Sequence, residues 1–357
     1  MSVTAGVLSF PDRPEAITPA WLGAALRTSL PGVEVAGVEV VDRHSGTTGR
    51  ARLRIDYASG SSGPETVFVK LPPFQEAQRA LVAATDMGRR EARFYAQLAA
   101  ETPVRVPRCW FAAHGEQPAD YICVLEDLEA AGCRFPKSVA QHARERGAAV
   151  IETLARLHAH FWQDARFGSE LSWVAPAMRG ALGARLVERA RERFAAELPP
   201  VFAELCRLYV EHHARVCELW DEGEATLIHG DVHTGNQFLD GDRVGLYDWA
   251  VISRSPGIRD VGIFLANSCP PEVRRAEQDG WMRAYRHGLV AAGVDAPPLE
   301  LLWRRLRLAV LYGWVAATTT AAMGGLWQRV EVGMAAMRGA TQTCAELETL
   351  EAFREAL

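Results

Sequence analysis

The chain has 357 residues, 48% of them hydrophobic and 23% charged, enough to bury a substantial core and to form one two-lobed domain or two small ones. A formal net charge of -5 lacks the basic footprint of a nucleic-acid binder. Seven cysteines without a CxxC pair, and an opening MSVTAGVLSFPDRPE without a basic region or long apolar core, lead to the expectation of a reduced, cytoplasmic protein with no signal peptide.

The first predicted element is a helix in TPAWLGAALRTSL, with Thr18 as N-cap and Pro19 at the first helical position. Next, HSGTTGRARLRIDY places Gly46, Thr47, Thr48 and Gly49 ahead of an alternating run, Leu53, Ile55 and Tyr57, which reads as a hairpin. Two glycines let such a turn approach phosphates without Cβ clashes, and its N–H groups can meet phosphate oxygens; a plain turn would look the same.

The run ETVFVK predicts a strand ending at Lys70. Of 39 basic residues only Lys70 and Lys137 are lysines, so a lysine here calls for a specific explanation. A compact ammonium can lie against the α and β phosphates of a nucleotide where a guanidinium fork fits differently; the plainer alternative is an ordinary cation at a strand's end. The stretch DMGRREARFYAQLAA spaces Met87, Phe94, Tyr95 and Leu98 as an amphipathic helix, with Glu91 on its inward side. Glu91 and the earlier Glu76 compete as partners for Lys70. Residues 121–128, YICVLEDL, form an apolar strand that turns acidic.

In RGAAVIETLARLHAHFW, Ile151, Leu154, His158 and Phe161 share one helical face, so His158 is expected in the core. Residues 227–249, LIHGDVHTGNQFLDGDRVGLYDW, carry the densest chemistry. QFLD and VGLYD flank the turn Asp240-Gly241-Asp242 as antiparallel strands, and their pairing is expected to bring Asn236 toward Asp248. Phosphoryl transfer from ATP needs a carboxylate to accept the hydroxyl proton and oxygen ligands for Mg²⁺. Asp231 suits the first role; Asn236 and Asp248 suit the second. A rival reading takes His229, Asp231 and His233 as zinc ligands of a hydrolase, with His212 and His213 in reserve, although Gly230, Thr234 and Gly235 disfavour the regular strand it needs. A structural turn would explain neither Asn236 nor Asp248. Further on, Leu308 to Gln328 is uncharged and long enough to span a bilayer. Its glycines and threonines, and the preceding Arg304, Arg305 and Arg307, predict a buried helix and no membrane association.

HGDVHTGN followed by YDW resembles the catalytic loop and metal-binding segment of the aminoglycoside phosphotransferase-like kinases, relatives of the protein kinases. Trp249 and Ala250 stand where protein kinases have Phe and Gly. The resemblance implies an α+β, bilobal protein kinase-like fold, with a small β-rich nucleotide-binding lobe over residues 1–127 and a larger, mainly helical lobe over residues 128–357. It makes Asp231 the catalytic base, Asn236 and Asp248 the Mg²⁺ ligands, and His229 a shaper of the loop. It assigns ATP to Gly46, Thr47, Thr48, Gly49 and Lys70, with Glu91 holding Lys70, and to a link at Leu125, Glu126, Asp127 and Leu128 that meets the adenine. Asp260, in SPGIRDVGIFLA, is implied to tie the metal loop to the larger lobe.

TPAWL, VLEDLEAAG and SPGIRDVGIFLANS, followed by Trp281 and Tyr285, look closer to the ecdysteroid kinase-like and choline kinase-like branch than to classical aminoglycoside enzymes. Between Ala130 and Pro200 there are eleven Lys or Arg against seven Asp or Glu, the wrong balance for a polycationic acceptor. Trp162, Trp173, Trp249, Trp281 and Trp303 are available to line a flat apolar pocket, while the acidic tail AELETLEAFREAL keeps a cationic acceptor open. The expected function is ATP-dependent transfer of phosphate to a hydroxyl of a small molecule, such as a natural product or an antibiotic that it inactivates. A catalytically silent nucleotide-binding module and the zinc hydrolase are the alternatives. Oligomeric state is left open by the sequence.

Overall fold

The computed structural model describes residues 8–46, 48–177, 180–324 and 330–357. The chain forms two compact units, Met1–Arg134 with Tyr247–Val251, and Phe135–Leu246 with Ile252–Leu357.

The first unit is built on helix α1 (Pro19–Leu26), strands β1 (Val35–Ser45), β2 (Gly49–Tyr57) and β3 (Thr66–Leu71), helices α2 (Glu76–Ala83) and α3 (Met87–Gln97), and strands β4 (Cys109–His114) and β5 (Tyr121–Glu126). The strands make one antiparallel sheet in the order β1-β2-β3-β5-β4. Helix α1 starts as its sequence predicts: the Thr18 hydroxyl accepts the Trp21 N–H at 3.2 Å, and Pro19 needs no partner at the first position. It buries Trp21, Leu22, Ala25 and Leu26 in one cluster with Leu53, Val67, Val69 and Ile122 of the sheet. Along β2 the alternation holds, with Ala51, Leu53 and Ile55 buried and Arg54 exposed. Helix α2 has no counterpart in the expected elements; it is only eight residues long and lacks a side-chain cap, so its local signal is weak.

The second unit contains α4 (Val139–His160), α5 (Ala181–Phe194), α6 (Pro200–Glu211), α7 (His213–Asp221), β6 (Ala225–Ile228), β7 (Gln237–Asp240), β8 (Arg243–Leu246), β9 (Ser253–Pro256), α8 (Ile258–Ser268), α9 (Pro271–Ala291), α10 (Leu299–Met323), α11 (Val330–Glu346) and α12 (Thr349–Ala356). Helix α10 packs against α5, α8 and α11, and α4 packs against α9. The run around His212 and His213 divides into α6 and α7 because His212, at φ -114° and ψ 22°, leaves helical geometry. Two antiparallel pairs, β6–β9 and β7–β8, carry the loops of interest.

Residues 308–323 of the uncharged run lie in α10, with Val310, Leu311, Trp314 and Ala322 buried; residues 325–328 of that run lie outside the described residues. Among the described residues no helix is long and apolar enough to cross a membrane. The tryptophans divide. Trp249 and Trp281 are core side chains, not pocket lining, while Trp162, Trp173 and Trp303 are half-buried.

Candidate active site

In the first unit, the β2–β3 register sets Arg50 opposite Lys70, and α3 turns Glu91 inward to 1% exposure. The Lys70 ammonium donates to Glu91 Oε1 at 2.6 Å and to Asp248 Oδ1 at 2.9 Å. Glu76 opens α2, is exposed, and is not the partner of Lys70. Burial pushes the Lys70 pKa down, but Asp248 and Glu91 more than reverse this, so it stands above its ordinary value. Glu91 is pushed up by burial, with Lys70 opposing. Two carboxylates thus share one buried ammonium, which stays charged.

Asp248 sits at φ 65°, in the left-handed region. This backbone costs of order 1–3 kcal/mol in general, and Asp is among the few residues that tolerate it. Its neighbour holds it there. Trp249 is fully buried, stacks on Phe94 with centroids 4.0 Å apart and planes at 10°, and donates its backbone N–H to Glu91 Oε1 at 3.2 Å. Glu91 therefore fixes both Lys70 and the segment that carries Asp248.

The β1–β2 hairpin closes at the Ser45–Gly49 pair, as expected of the glycine turn. The Gly46 N–H donates to the Thr48 carbonyl at 3.1 Å, and Thr48 is buried. Thr47 lies outside the described residues. A Cβ on Gly49 would stand 2.5 Å from the Pro72 carbonyl oxygen, so this glycine is required by the chain's own packing. At the end of β5, Leu125 and Leu128 are buried. Glu126 takes both nitrogens of the Arg105 guanidinium at 2.8 and 2.9 Å. Asp127 accepts from Arg52 at 3.2 Å and from Thr66 at 2.8 Å. The acidic side chains of this stretch are committed to the unit's own cations and hydroxyls.

In the second unit, β6 delivers the chain at Ile228, and the next residues are fixed from α8. Asp260, fully buried, accepts the His229 N–H on Oδ2 at 2.8 Å and the Gly230 N–H on Oδ1 at 2.9 Å. Asp260 thus ties down the HGD loop, where the resemblance had assigned it to the metal segment. Its Oδ2 also lies 3.2 Å from Nε2 of buried His158, whose Nδ1 is 2.8 Å from the Tyr285 hydroxyl. Since a carboxylate only accepts, Nε2 donates to Asp260. His158 is a core histidine that orients Asp260. Gly230 turns at φ 83°, a conformation that excludes most side chains, and sends Asp231 outward to a side-chain exposure of 36%.

Asn236 Nδ2 donates to both the carbonyl and Oδ2 of Asp231 at 2.9 Å, and His233 Nε2 lies 3.4 Å from the same Oδ2. Strands β7 and β8 pair from Gln237–Leu246 to Asp240–Arg243 around a two-residue turn, so the expected hairpin forms, but its second strand ends at Leu246 and leaves Tyr247 and the left-handed Asp248 beyond it. The zinc reading fares poorly. His229 is buried with Nδ1 accepting the Asp231 N–H at 3.2 Å, and His233 Nδ1 accepts from Gly235 at 3.0 Å. Among the described residues no three of His, Cys, Asp or Glu gather as a metal group.

Two neighbours of these residues had no place in the phosphoryl-transfer reading of the sequence. His233 entered only as a zinc ligand, and Arg50 was passed over among the chain's many arginines. Nε of Arg50 donates to Thr48 Oγ1 at 3.3 Å, and its NH2 lies 3.6 Å from Asp248 Oδ2. The available signal was position: Arg50 directly follows the glycine turn, on the strand beside Lys70.

Comparison with known proteins locates this arrangement. The profile of the Phosphotransferase enzyme family matches residues 41–307, a span that includes the glycine turn, Lys70, the HGD loop and Asp248. No curated protein sequence matches the chain. Among solved structures, an ethanolamine kinase of Plasmodium vivax is similar at 11% identity and a TM-score of 0.51, over 90% of this chain and 83% of that one. A choline/ethanolamine kinase family protein of Mesorhizobium loti is similar at 15% identity and a TM-score of 0.50, over 94% of this chain and 97% of that one. At these identities the likeness is one of fold. The chain has an α+β, protein kinase-like fold and belongs to the Phosphotransferase enzyme family, as a small-molecule kinase.

Proposed function

We propose that the protein transfers the γ-phosphate of ATP to a hydroxyl of a small natural product. The observation that carries this reading is the buried Lys70, held by Glu91 and by an Asp248 on strained backbone. A purely structural ion pair has no need of a left-handed aspartate, and strain of this kind collects at functional sites.

The donor set fits Mg²⁺: a carboxylate on Asp248 and an amide oxygen on Asn236 are hard oxygen ligands. Asn236 commits its Nδ2 to Asp231, so the atom it offers a metal is the carbonyl oxygen. Mg²⁺ bound there would neutralise and orient the phosphates. Lys70 would contribute a fixed positive charge toward the nucleotide, with Glu91 preventing its drift. Asp231 would accept the proton of the attacking hydroxyl on its carboxylate, which Asn236 and the Asp260-anchored backbone keep in one orientation. The Gly46–Gly49 turn and the backbone of residues 125–128 would take the remainder of the nucleotide.

The acceptor is read as neutral or anionic and partly apolar. Arg185, Arg189 and Arg193 stand exposed at four-residue spacing on α5, which disfavours a polycation, and the half-buried Trp162, Trp173 and Trp303 offer flat apolar surface. Inactivation of an antibiotic is one role this chemistry would serve. A silent nucleotide-binding module is disfavoured because Lys70, Asp231, Asn236 and Asp248 are all present. A coupled ATP-turnover screen over hydroxylated natural products, with mass spectrometry for one added phosphoryl group, tests the reading. Failure of every hydroxylated acceptor, alongside normal ATP binding, would favour the silent module.

A further inference from the structure

We infer that Arg50 is a second phosphate-binding cation, and that it, more than Lys70, meets the terminal phosphates of the nucleotide; this rests on the proposed ATP-dependent function. The two side chains are cross-strand neighbours in the β2–β3 register and so stand on one face of the sheet. Both reach Asp248, Lys70 on Oδ1 at 2.9 Å and Arg50 on Oδ2 at 3.6 Å.

Their surroundings differ in a way that assigns different work. The Lys70 side chain is 6% exposed, and its ammonium, with three donors, is bound to two carboxylates at 2.5 to 2.9 Å. Little of it remains for a ligand. The Arg50 side chain is 34% exposed, and of its five N–H donors the Thr48 hydroxyl takes only the one on Nε, at 3.3 Å. That single bond orients the guanidinium plane and leaves the terminal nitrogens without a side-chain hydrogen bond among the described residues, NH2 lying toward Asp248. The Asp248 contact, at 3.6 Å, is an ion pair too long for a strong hydrogen bond.

Charge balance points the same way. Lys70 and Arg50 match Glu91 and Asp248, so the cluster is neutral by itself. A divalent cation taken up by Asp248 would leave two positive charges in excess, and Arg50 would be released from the carboxylate at the moment phosphate arrives. A guanidinium suits that exchange, because its planar fork binds phosphate oxygens as readily as carboxylate oxygens.

The test is calorimetric binding of ATP and AMP, each with Mg²⁺, to wild type, Arg50→Gln and Arg50→Lys, with thermal melts alongside. AMP lacks the phosphates that Arg50 would touch. Wild type should bind ATP more tightly than AMP. Arg50→Gln should lose about tenfold in ATP affinity, or about 1.4 kcal/mol, with AMP affinity and melting temperature unchanged; Arg50→Lys should fall between. An Arg50→Gln variant with ATP affinity within about twofold of wild type, or with equal losses for ATP and AMP, would overturn the inference alone. A wild-type protein that does not prefer ATP to AMP would overturn the proposed function and the inference together.

Discussion

The ammonium of Lys70 lies 2.6 Å from Glu91 Oε1, although the two residues are 21 positions apart in the chain and both are buried. Glu91 Oε1 also accepts the Trp249 N–H, so one carboxylate sets the position of the lysine and of the segment after Asp248. Lys70→Arg keeps the charge but inserts a larger, planar group into a site with 5% exposure. It is expected to lose most activity and about 1–3 kcal/mol of stability through overpacking. Steady-state kinetics with denaturant melts measure both. A fully active variant would remove this lysine from the mechanism.

Asp248→Asn keeps a side chain that tolerates φ 65° and can still accept from Lys70, but removes the charge. Mg²⁺-dependent nucleotide binding is expected to vanish while the fold persists, whereas Asn236→Ala should weaken it less, since an amide contributes only a dipole. Calorimetry with and without Mg²⁺ checks this. Unchanged affinity for Mg·ATP in Asp248→Asn would move the metal site elsewhere.

Asp260 accepts two backbone N–H groups and faces Nε2 of His158 without solvent contact. Asp260→Ala leaves those donors buried and unpaired, and is expected to cost about 3–5 kcal/mol. Activity should fall with it because the Asp231 loop loses its anchor. A loss under about 1 kcal/mol in chemical denaturation would show that the loop is held by other contacts.

The α9–α11 clip supplies a pH dependence. Hydrogen bonds from Arg275, with further help from Gln342 and Arg274, hold the Glu346 carboxyl at about 2, below its ordinary 4.5. A depressed acid stabilises the fold fully above about 4.5, and that contribution is lost as pH falls toward about 2. Wild type should therefore melt above Glu346→Gln at neutral pH, and the gap should close across that window. The gap should also shrink in high salt, because Arg275 is well exposed. A difference independent of pH would exclude the carboxylate as its source.

Features whose signal is local were legible in the sequence. The Thr18–Pro19 helix start, the β7–β8 hairpin and the buried face of α4 each follow from neighbouring residues. Lys70 stood out by contrast with the chain's arginines, and Glu91 by helical periodicity together with the resemblance, and the two do pair. What escaped depends on contacts distant in sequence. Arg50 gains its interest from cross-strand pairing with Lys70 and from a residue nearly 200 positions later. Asp260 binds the loop at His229 and Gly230, a target that helix patterning does not specify. Trp249 and Trp281 look available as surface aromatics until Phe94, in one case, and Phe264 of α8 with the backbone at Gly147 of α4, in the other, close over them.

The most direct test of the central claim is turnover by Asp231→Asn with a phosphorylatable acceptor, measured beside ATP affinity. The amide keeps the size and the accepting oxygen that Asn236 contacts, but cannot take a proton. ATP should bind as in wild type while turnover falls by about 10²- to 10⁴-fold. Turnover within about threefold of wild type, a barrier change under about 1 kcal/mol, would contradict a general base at Asp231 and with it this account of phosphoryl transfer.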